Sequence, residues 1–335
     1  MKKSILILVA FSFFGLELNA QLLNEGSGKI FRNAGGGADR GGSTAGSSVF
    51  GAQGDWSVDL VVSEQTPATA ANNFLGPTHN GMGATGWGSF AAGAYNRASG
   101  AGAVAIGFHN VAGPLDSDES SIPTSGNTTN LGQFAVGYGT QATGHVAFSA
   151  GQGTTASGHY STAMGYDTTA SAYFSTAMGY NTEAAGNYST AIGSDTNAAG
   201  GYSTAIGYNT MANGELSTAM GFNTVAQGEN SAAMGDSTTA SGSNSTAMGF
   251  LTDASGAYST AMGRETTASG NYSTAMGYET TASGYYSTAM GYETTASAQN
   301  STAMGIYTDA IGENSTAMGN SSDAVGANST CLLYT

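Results

Sequence analysis

A fourteen-residue repeat constrains the fold of this chain more than any other feature of its sequence. The motif Ser-Thr-Ala-Met-Gly begins at Ser161, and its glycine recurs every 14 residues from Gly165 to Gly319. The same spacing extends backwards through Gly151 to Gly137 and again from Gly107 to Gly93, with 16 extra residues between Gly107 and Gly137. Such a fixed period over most of a 335-residue chain predicts a repeat architecture rather than ordinary globular domains.

Two alternating sets of columns within each period predict two short β-strands per turn. In the period 166–179 the residues that vary least are Thr, Ala, Gly or Ser, and they stand at positions 168, 170, 172, 175, 177 and 179. Alternation with period two is the strand pattern, and the break in phase after position 172 indicates a corner. The sequence therefore predicts strands over 168–172 and 175–179 in a flattened, all-β parallel solenoid with a core of small residues.

Composition agrees with this architecture and excludes several classes of function. Glycine contributes 52 residues and charged residues only 9%, so no conventional Leu/Ile/Val core can form. Seven basic residues against 22 acidic ones give a net charge of −15, which excludes the basic footprint of a nucleic-acid binder. The single cysteine, Cys331, cannot form a disulfide within the chain.

The outward columns of the second strand predict a self-association face. Threonine and methionine recur there, whereas the outward columns of the first strand vary through Glu183, Asn197 and Val225. Ten methionines in one row exceed what soluble monomers usually expose. Recent duplication alone would explain constancy, but not its confinement to one outward face. The predicted interface residues are Thr162, Met164, Thr176, Met178, Ile192, Ile206, Met220, Met234, Met248, Met262, Met276, Met290, Met304 and Met318.

The N-terminus predicts export. Residues 1–20 contain Lys2 and Lys3, an apolar run over 5–14 and a small residue, Ala20, at the expected cleavage point of a signal peptide. The apolar run is shorter than a membrane span requires, and no later segment could span a bilayer as a helix. We therefore expect an exported protein with no membrane span in this chain.

The remaining boundaries follow from the repeat. Residues 21–83 are expected to be an N-terminal cap or irregular segment, with a strand near 56–62. The solenoid is expected over 84–330, with a polar loop inserted at about 114–129. Residues 331–335 replace the expected Ala, Met and Gly by Cys, Leu and Leu, which predicts a truncated or aberrant end.

No catalytic, cofactor or metal site is expected. The four histidines lack metal-ligand spacing, and no Gly-x-Ser-x-Gly motif leads into a helix. One corner column contains the acidic residues Asp167, Asp195, Glu265, Glu279 and Glu293. This column predicts a solvated edge rather than a row of calcium sites, because the calcium-binding nonapeptide is absent.

Corner tyrosines leave two interpretations open. One corner holds Tyr166, Tyr180, Tyr278 and Tyr292, and the other holds Tyr188, Tyr202, Tyr258, Tyr272 and Tyr286. Stacking between turns would stiffen the solenoid, whereas exposed aromatic residues also bind proteins or glycans. The four residues of the first corner are the candidate ligand-facing aromatics.

The column pattern Ser-x-Ala-x-Gly-x-x-Thr-x-Ala-x-Gly resembles the head repeats of trimeric autotransporter adhesins of the YadA type. Residues 103–107 (Ala-Val-Ala-Ile-Gly) are most similar to the family form, and the resemblance covers about residues 84–330. It implies a left-handed parallel β-roll and a homotrimer associated along the Thr/Met columns. It also implies attachment to extracellular matrix proteins or cells.

We therefore expect a non-enzymatic, trimeric adhesin head at the cell surface, on the outer membrane or secreted, without cofactors. Its expected partners are itself and an extracellular matrix protein, a glycan or a cell surface. One alternative is a passive spacer or fibre segment of a larger assembly. Another is an ice-binding solenoid, since threonine ladders can order water, but that function requires paired outward threonine columns and here the partner column is methionine.

Overall fold

The computed structural model describes residues 89–113 and 131–333, with four further short strands at Ala20–Gln21, Arg32–Asn33, Val58–Val61 and Gly83–Ala84. The predicted signal peptide (apart from Ala20), most of segment 21–83 and the loop at 114–129 lie outside the described residues. Two compact units are present, Met1–Gly153 and Thr154–Thr335. The described residues form strands and corners without helices, and each unit contains a parallel β-solenoid. Its turns repeat every 14 residues, apart from longer intervals between Val58 and Phe90 and between Val104 and Phe134.

The unit Met1–Gly153 contains two parallel sheets and one separate strand pair. The broader sheet pairs Val58–Val61, Phe90–Ala94, Val104–Phe108, Phe134–Tyr138 and Phe148–Gln152 in that order. The narrower sheet pairs Gly83–Ala84, Arg97–Ala98, Val111–Ala112 and Gln141–Ala142. Ala20–Gln21 and Arg32–Asn33 pair antiparallel. The strand expected near 56–62 is present, with Val58 opposite Phe90; its capping role stays a prediction.

The unit Thr154–Thr335 repeats the same two sheets. Its longer strands are Thr162–Tyr166, Thr176–Tyr180, Thr190–Ser194, Thr204–Tyr208, Thr218–Phe222, Ala232–Asp236, Thr246–Phe250, Thr260–Arg264, Thr274–Tyr278, Thr288–Tyr292, Thr302–Ile306, Thr316–Asn320 and Thr330–Leu333. Its shorter strands are Thr155–Ala156, Thr169–Ala170, Glu183–Ala184, Asn197–Ala198, Met211–Ala212, Val225–Ala226, Thr239–Ala240, Asp253–Ala254, Thr267–Ala268, Thr281–Ala282, Thr295–Ala296, Asp309–Ala310 and Asp323–Ala324. Each strand pairs in parallel with its equivalent in the next turn, so Met164 lies opposite Met178.

The strand bounds differ from those predicted. The strand expected over 168–172 is limited to Thr169–Ala170, and the strand expected over 175–179 runs one residue later, over Thr176–Tyr180. The short strand ends early because the chain turns there: in the next turn the amides of both Ala185 and Gly186 donate to the Ala198 carbonyl. A single carbonyl therefore serves two successive amides, and the regular ladder stops.

The core consists of small residues, as the column pattern predicted. Ala163, Ala170 and their equivalents are fully buried, together with the Ser161 and Thr168 columns. Asparagine replaces threonine in the first unit at Asn96 and Asn110. The Asn110 amide nitrogen donates to the Ile106 and Gly137 carbonyls at 2.8 Å each, so this buried amide is satisfied by the backbone.

The glycine at position 179 does not point into the core, and the prediction for its column is wrong. Gly179 is exposed, with a φ of 131°, and a Cβ added there would overlap the carbonyl oxygen of Gly193. The residue is glycine because of its backbone conformation and the close approach of the next turn. By contrast, Gly186 and Gly200, in the column of position 172, are buried as predicted.

Left-handed backbone geometry forms both corners of each turn. Asp167 has a φ of 53° at the first corner and Phe174 a φ of 54° at the second, and the equivalent residues repeat these values. Asparagine and aspartate tolerate a positive φ, whereas this conformation is energetically unfavourable for other residues with a side chain. The left-handed winding of the solenoid that the resemblance implies stays a prediction.

Candidate functional site

The outward columns of the longer strands form a continuous ladder, here called the Thr/Met face. In the second unit it comprises the Thr162 and Met164 columns through Thr316 and Met318, which contain only threonine, alanine, methionine and isoleucine. Parallel pairing sets each side chain beside its equivalent, as in Met234 opposite Met248. The methionines are half-buried within a single chain, and Met220 reaches 39% exposure. The predicted interface residues therefore all lie on one sheet face.

The Thr/Met face carries no charge, although the protein is strongly acidic. Thirteen acidic residues and one basic residue, Arg264, lie between residues 131 and 333, and none of them stands in these two columns. The opposite, narrower sheet presents Glu183, Asp253 and Asp309 in its outward column. Two acidic surfaces repel each other, so an uncharged face is where a second copy can approach most closely.

The same face in the first unit contains aromatic and branched residues that the sequence analysis did not assign to the interface. Its outward columns present Phe90, Val104, Phe134 and Phe148, and the rings of Phe134 and Phe148 stack with centroids 5.3 Å apart. These residues are half-buried. The signal that could have found them is the glycine register itself, because each stands three residues before a register glycine.

The four candidate ligand-facing tyrosines end their strands at the first corner. The Tyr166 and Tyr180 rings stack at 5.3 Å and the Tyr278 and Tyr292 rings at 4.9 Å, both nearly parallel. Each ring therefore covers a face of its partner, while Tyr166, Tyr180 and Tyr292 remain exposed to solvent. The structure keeps the two pairs apart, since seven turns separate Tyr180 from Tyr278.

Arg264 continues the second of these stacks. Its guanidinium carbon lies 5.5 Å from the Phe250 ring centroid and 5.3 Å from that of Tyr278, and its Nε pairs with Glu265 at 3.0 Å. A guanidinium between two aromatic faces is a favourable cation–π arrangement. The charged residue thus occupies the place of a ring without breaking the column.

A hydrogen bond between neighbouring residues perturbs Tyr292. Its phenol donates to the Glu293 carboxylate, and this bond raises the pKa of Tyr292 to about 12, with smaller contributions from burial and from the Glu293 charge. The hydrogen bond from Tyr278 to Glu279 raises the pKa of Tyr278 in the same way. These tyrosines remain protonated at any physiological pH and act as hydrogen-bond donors.

A second aromatic ladder lies at the opposite corner, where stacking is one of the two interpretations that the sequence allows. The Tyr188 and Tyr202 rings stack at 4.8 Å, and Tyr258, Tyr272 and Tyr286 stack in sequence at 4.9 Å each. Stacking between turns is therefore the arrangement of these rings. Whether the first-corner tyrosines also bind a ligand stays a prediction.

The acidic corner column borders a shallow polar groove of about 610 Å³ in the second unit. Within it Asn181 donates to Asp195 at 2.7 Å and Asn197 donates to Glu183 at 3.1 Å. Among the described residues, no group of three or more His, Cys, Asp or Glu side chains could hold a metal ion. The groove is lined by Asp167, Thr169, Asn181, Thr182, Glu183, Asp195, Thr196, Asn197, Asn209 and Met211.

Comparison with known families follows the same repeats. The YadA head domain repeat (2 copies) matches residues 84–110, 156–182, 184–210, 212–238, 226–252, 254–280, 282–308 and 310–330, more than half of the chain. The chain belongs to the YadA head repeat family. No curated protein matches it in a sequence search. YadA-type heads are non-enzymatic regions of trimeric autotransporter adhesins and are exposed at the cell surface. No helix within the described part of this YadA-type head is long and apolar enough to cross a membrane.

Proposed function

We propose that this chain is a non-enzymatic adhesin head that works as a homotrimer associated along the Thr/Met face. The observation that carries the proposal is the uncharged ladder from Thr162 to Met318 on a chain of net charge −15. Half-buried methionines gain about 25 cal/mol for each Å² of apolar surface removed from water. A core of alanine, serine and threonine provides little such burial, so association supplies stability that a single chain lacks.

Export and surface display complete this proposal. A signal peptide at residues 1–20 would direct the chain out of the cytoplasm, where a trimeric head would be secreted or held at the outer membrane. The family supports surface exposure. The acidic charge of the second unit keeps trimers soluble and apart from anionic surfaces.

Ligand binding would be distributed along the solenoid surface. We place it at the first corner, on Tyr166, Tyr180, Tyr278 and Tyr292; three of these rings are exposed and Tyr278 is half-buried. Tyrosine is favoured at protein interfaces because it combines apolar area with a hydrogen-bonding group. The ligand class is an extracellular matrix protein, a glycan or a cell surface.

A binding experiment tests this function. The purified chain is applied to immobilised matrix proteins, glycans and whole cells, beside a variant with Tyr166, Tyr180, Tyr278 and Tyr292 changed to serine. We expect saturable binding by the native chain and at least a tenfold loss in the variant. A native trimer that binds none of these surfaces would instead support a passive spacer in a larger assembly.

A further inference from the structure

Three tyrosines at the second corner form a single stacked block. Tyr258, Tyr272 and Tyr286 occupy equivalent positions in three consecutive turns, with ring centroids 4.9 Å apart in both pairs. The first pair is parallel, with an interplanar angle of 0°, and the second is tilted by 24°. All three side chains are exposed, by 54%, 43% and 50%. Reagents in solution can therefore reach every ring of the block.

This arrangement favours one particular reaction of phenols. Removing one electron and one proton from a tyrosine gives a phenoxyl radical, whose unpaired electron is shared with the two ring carbons beside the hydroxyl. Two such radicals couple through these carbons when their rings are close. The Tyr258 and Tyr272 rings lie in parallel planes with their centroids 4.9 Å apart, so the ortho carbons of the two rings are held in neighbouring stacked rings. The fold thus holds the two reacting rings together before oxidation.

We propose that Tyr258, Tyr272 and Tyr286 are sites of oxidative cross-linking, which joins consecutive turns through dityrosine. The oxidant is a haem peroxidase with hydrogen peroxide, a chemistry that an exported protein can meet. Each coupling forms one carbon–carbon bond between two rings and releases two protons and two electrons. The peroxide accepts both and leaves as two water molecules. The inference depends on ring geometry and exposure and is independent of the proposed adhesin role.

Neighbouring stacks show why this block is distinguished from other rings. Tyr160 stacks on Phe174 at 4.7 Å and Tyr208 on Phe222 at 5.2 Å, but phenylalanine has no phenolic hydroxyl and forms no phenoxyl radical. Tyr285 meets Tyr272 edge-on, with an interplanar angle of 77°. The Tyr188–Tyr202 pair also joins two exposed phenols in parallel, at 4.8 Å, but Tyr258, Tyr272 and Tyr286 form a stacked run of three.

A covalent bond between these turns would strengthen the solenoid. Each cross-link closes a loop of 14 residues, which removes conformational freedom from the unfolded chain. Two consecutive links would join three turns into one covalent unit. On unfolding, the linked turns could then no longer separate completely without breaking a carbon–carbon bond.

The scarcity of basic residues provides a specific assay. Arg264 is the one lysine or arginine between residues 98 and 335, and it lies between Tyr258 and Tyr272 in the sequence. Trypsin applied to the denatured chain therefore yields the fragments 98–264 and 265–335. A Tyr258–Tyr272 bond holds these two fragments together on a denaturing gel, and mass spectrometry finds the joined fragment lighter by two hydrogen atoms.

We expect the folded native chain, treated with peroxidase and peroxide, to give the joined fragment in at least tenfold excess over a chain oxidised in denaturant. Tyr258→Phe preserves the stack and should abolish the joined fragment. Tyr188→Phe, in the separate Tyr188–Tyr202 stack, is the matched control and should leave it unchanged. The proposal is overturned if the oxidised native chain separates into free fragments, or if coupling joins only different chains before trypsin treatment.

Discussion

Glycine at the strand end is a backbone requirement of every turn. Gly207 has a φ of 134°, and a Cβ there would overlap the carbonyl oxygen of Gly221 in the next turn. The column pattern showed that the residue was invariant but could not show why. A sequence contains the same letter for a glycine that is required by a crowded core and for one that is required by a positive φ. The column pattern therefore cannot distinguish the two reasons.

Replacing Gly207 by alanine should therefore destabilise the fold. A residue with a side chain in this backbone conformation lowers the free energy of unfolding by about 1–3 kcal/mol. The added methyl group would also displace the neighbouring turn. Gly201→Ala is the matched control, because its nearest neighbour, the Glu215 side chain, lies 3.9 Å from the added atom. Thermal unfolding followed by circular dichroism should show a clear loss of stability for Gly207→Ala and almost none for Gly201→Ala. Equal effects would contradict the steric explanation.

The Tyr292–Glu293 hydrogen bond predicts a titration at high pH. Because the carboxylate accepts from the phenol, the pKa of Tyr292 rises to about 12 from an ordinary value of 10.0. The folded-state pKa is the higher one, so this hydrogen bond stabilises the fold fully below pH 10.0 and its contribution is lost as the pH rises toward about 12.

Phenolate absorbance tests this shift. The titration of the native chain minus that of Tyr292→Phe isolates the residue and should have its midpoint near pH 12. Glu293→Gln removes the charged acceptor and should bring the midpoint back toward 10.0. A midpoint already at the ordinary value in the native chain would exclude the hydrogen bond.

Stacking of aromatic rings between turns offsets the unfavourable left-handed backbone conformation at the second corner of each turn. Tyr272 has a φ of 58°, a conformation that asparagine tolerates better than an aromatic residue. Asparagine occupies the same column at Asn244 and Asn300. Tyr188, Tyr202, Tyr258, Tyr272 and Tyr286 in this column stack on rings in adjacent turns, and each such pair contributes about 0.5–1.5 kcal/mol.

Two substitutions at Tyr272 separate backbone from stacking effects. Tyr272→Asn removes the ring but keeps a side chain suited to the corner, so we expect a loss of about 1–3 kcal/mol from the two missing stacks. Tyr272→Val removes the ring and adds a β-branched side chain in the left-handed region, which should cost about 1–2 kcal/mol more. Midpoints of chemical denaturation measure both variants. If valine is tolerated as well as asparagine, corner geometry is not what limits this column.

The sequence predicted the pair of sheets better than it predicted the strand ends. Alternation of small residues correctly placed Ala163, Ala170 and Thr168 inside and Met164 outside. It placed the strand bounds wrongly because hydrogen bonds, rather than side-chain alternation, end the ladder after residues such as Ala184. The sequence predicts stacking as one of two roles for the corner tyrosines, the other being ligand binding. It cannot show stacking directly, because ring contact depends on the distance between turns.

The acidic residues of the chain lie outside the Thr/Met face, and this uneven distribution of charge predicts that copies of the chain associate along that face. Changing Met248, Met262 and Met276 to aspartate places three charges on the Thr/Met face, and burial of unpaired charges is expensive. We expect this variant to be monomeric. The matched control changes Ser255, Ser269 and Ser283 to aspartate; these residues are exposed beyond the ends of the short strands, and their variant has the same net charge.

Sedimentation velocity compares the two variants. The serine variant should keep the oligomeric state of the native chain. If both variants dissociate, general charge repulsion rather than the Thr/Met face would explain the result. The interface predicted from the sequence begins at Thr162. Phe134 and Phe148 stand in the equivalent strand column of the first unit, but the repeat motif does not include them because their bulk differs from that of the later threonines.

The solution mass of residues 21–335 tests the central claim most directly. Light scattering coupled to size-exclusion chromatography should give three times the mass of one chain, because the uncharged Thr/Met face is covered only when copies associate along it. A folded protein with the mass of a single chain would contradict self-association. It would leave the row from Met164 to Met318 exposed to solvent.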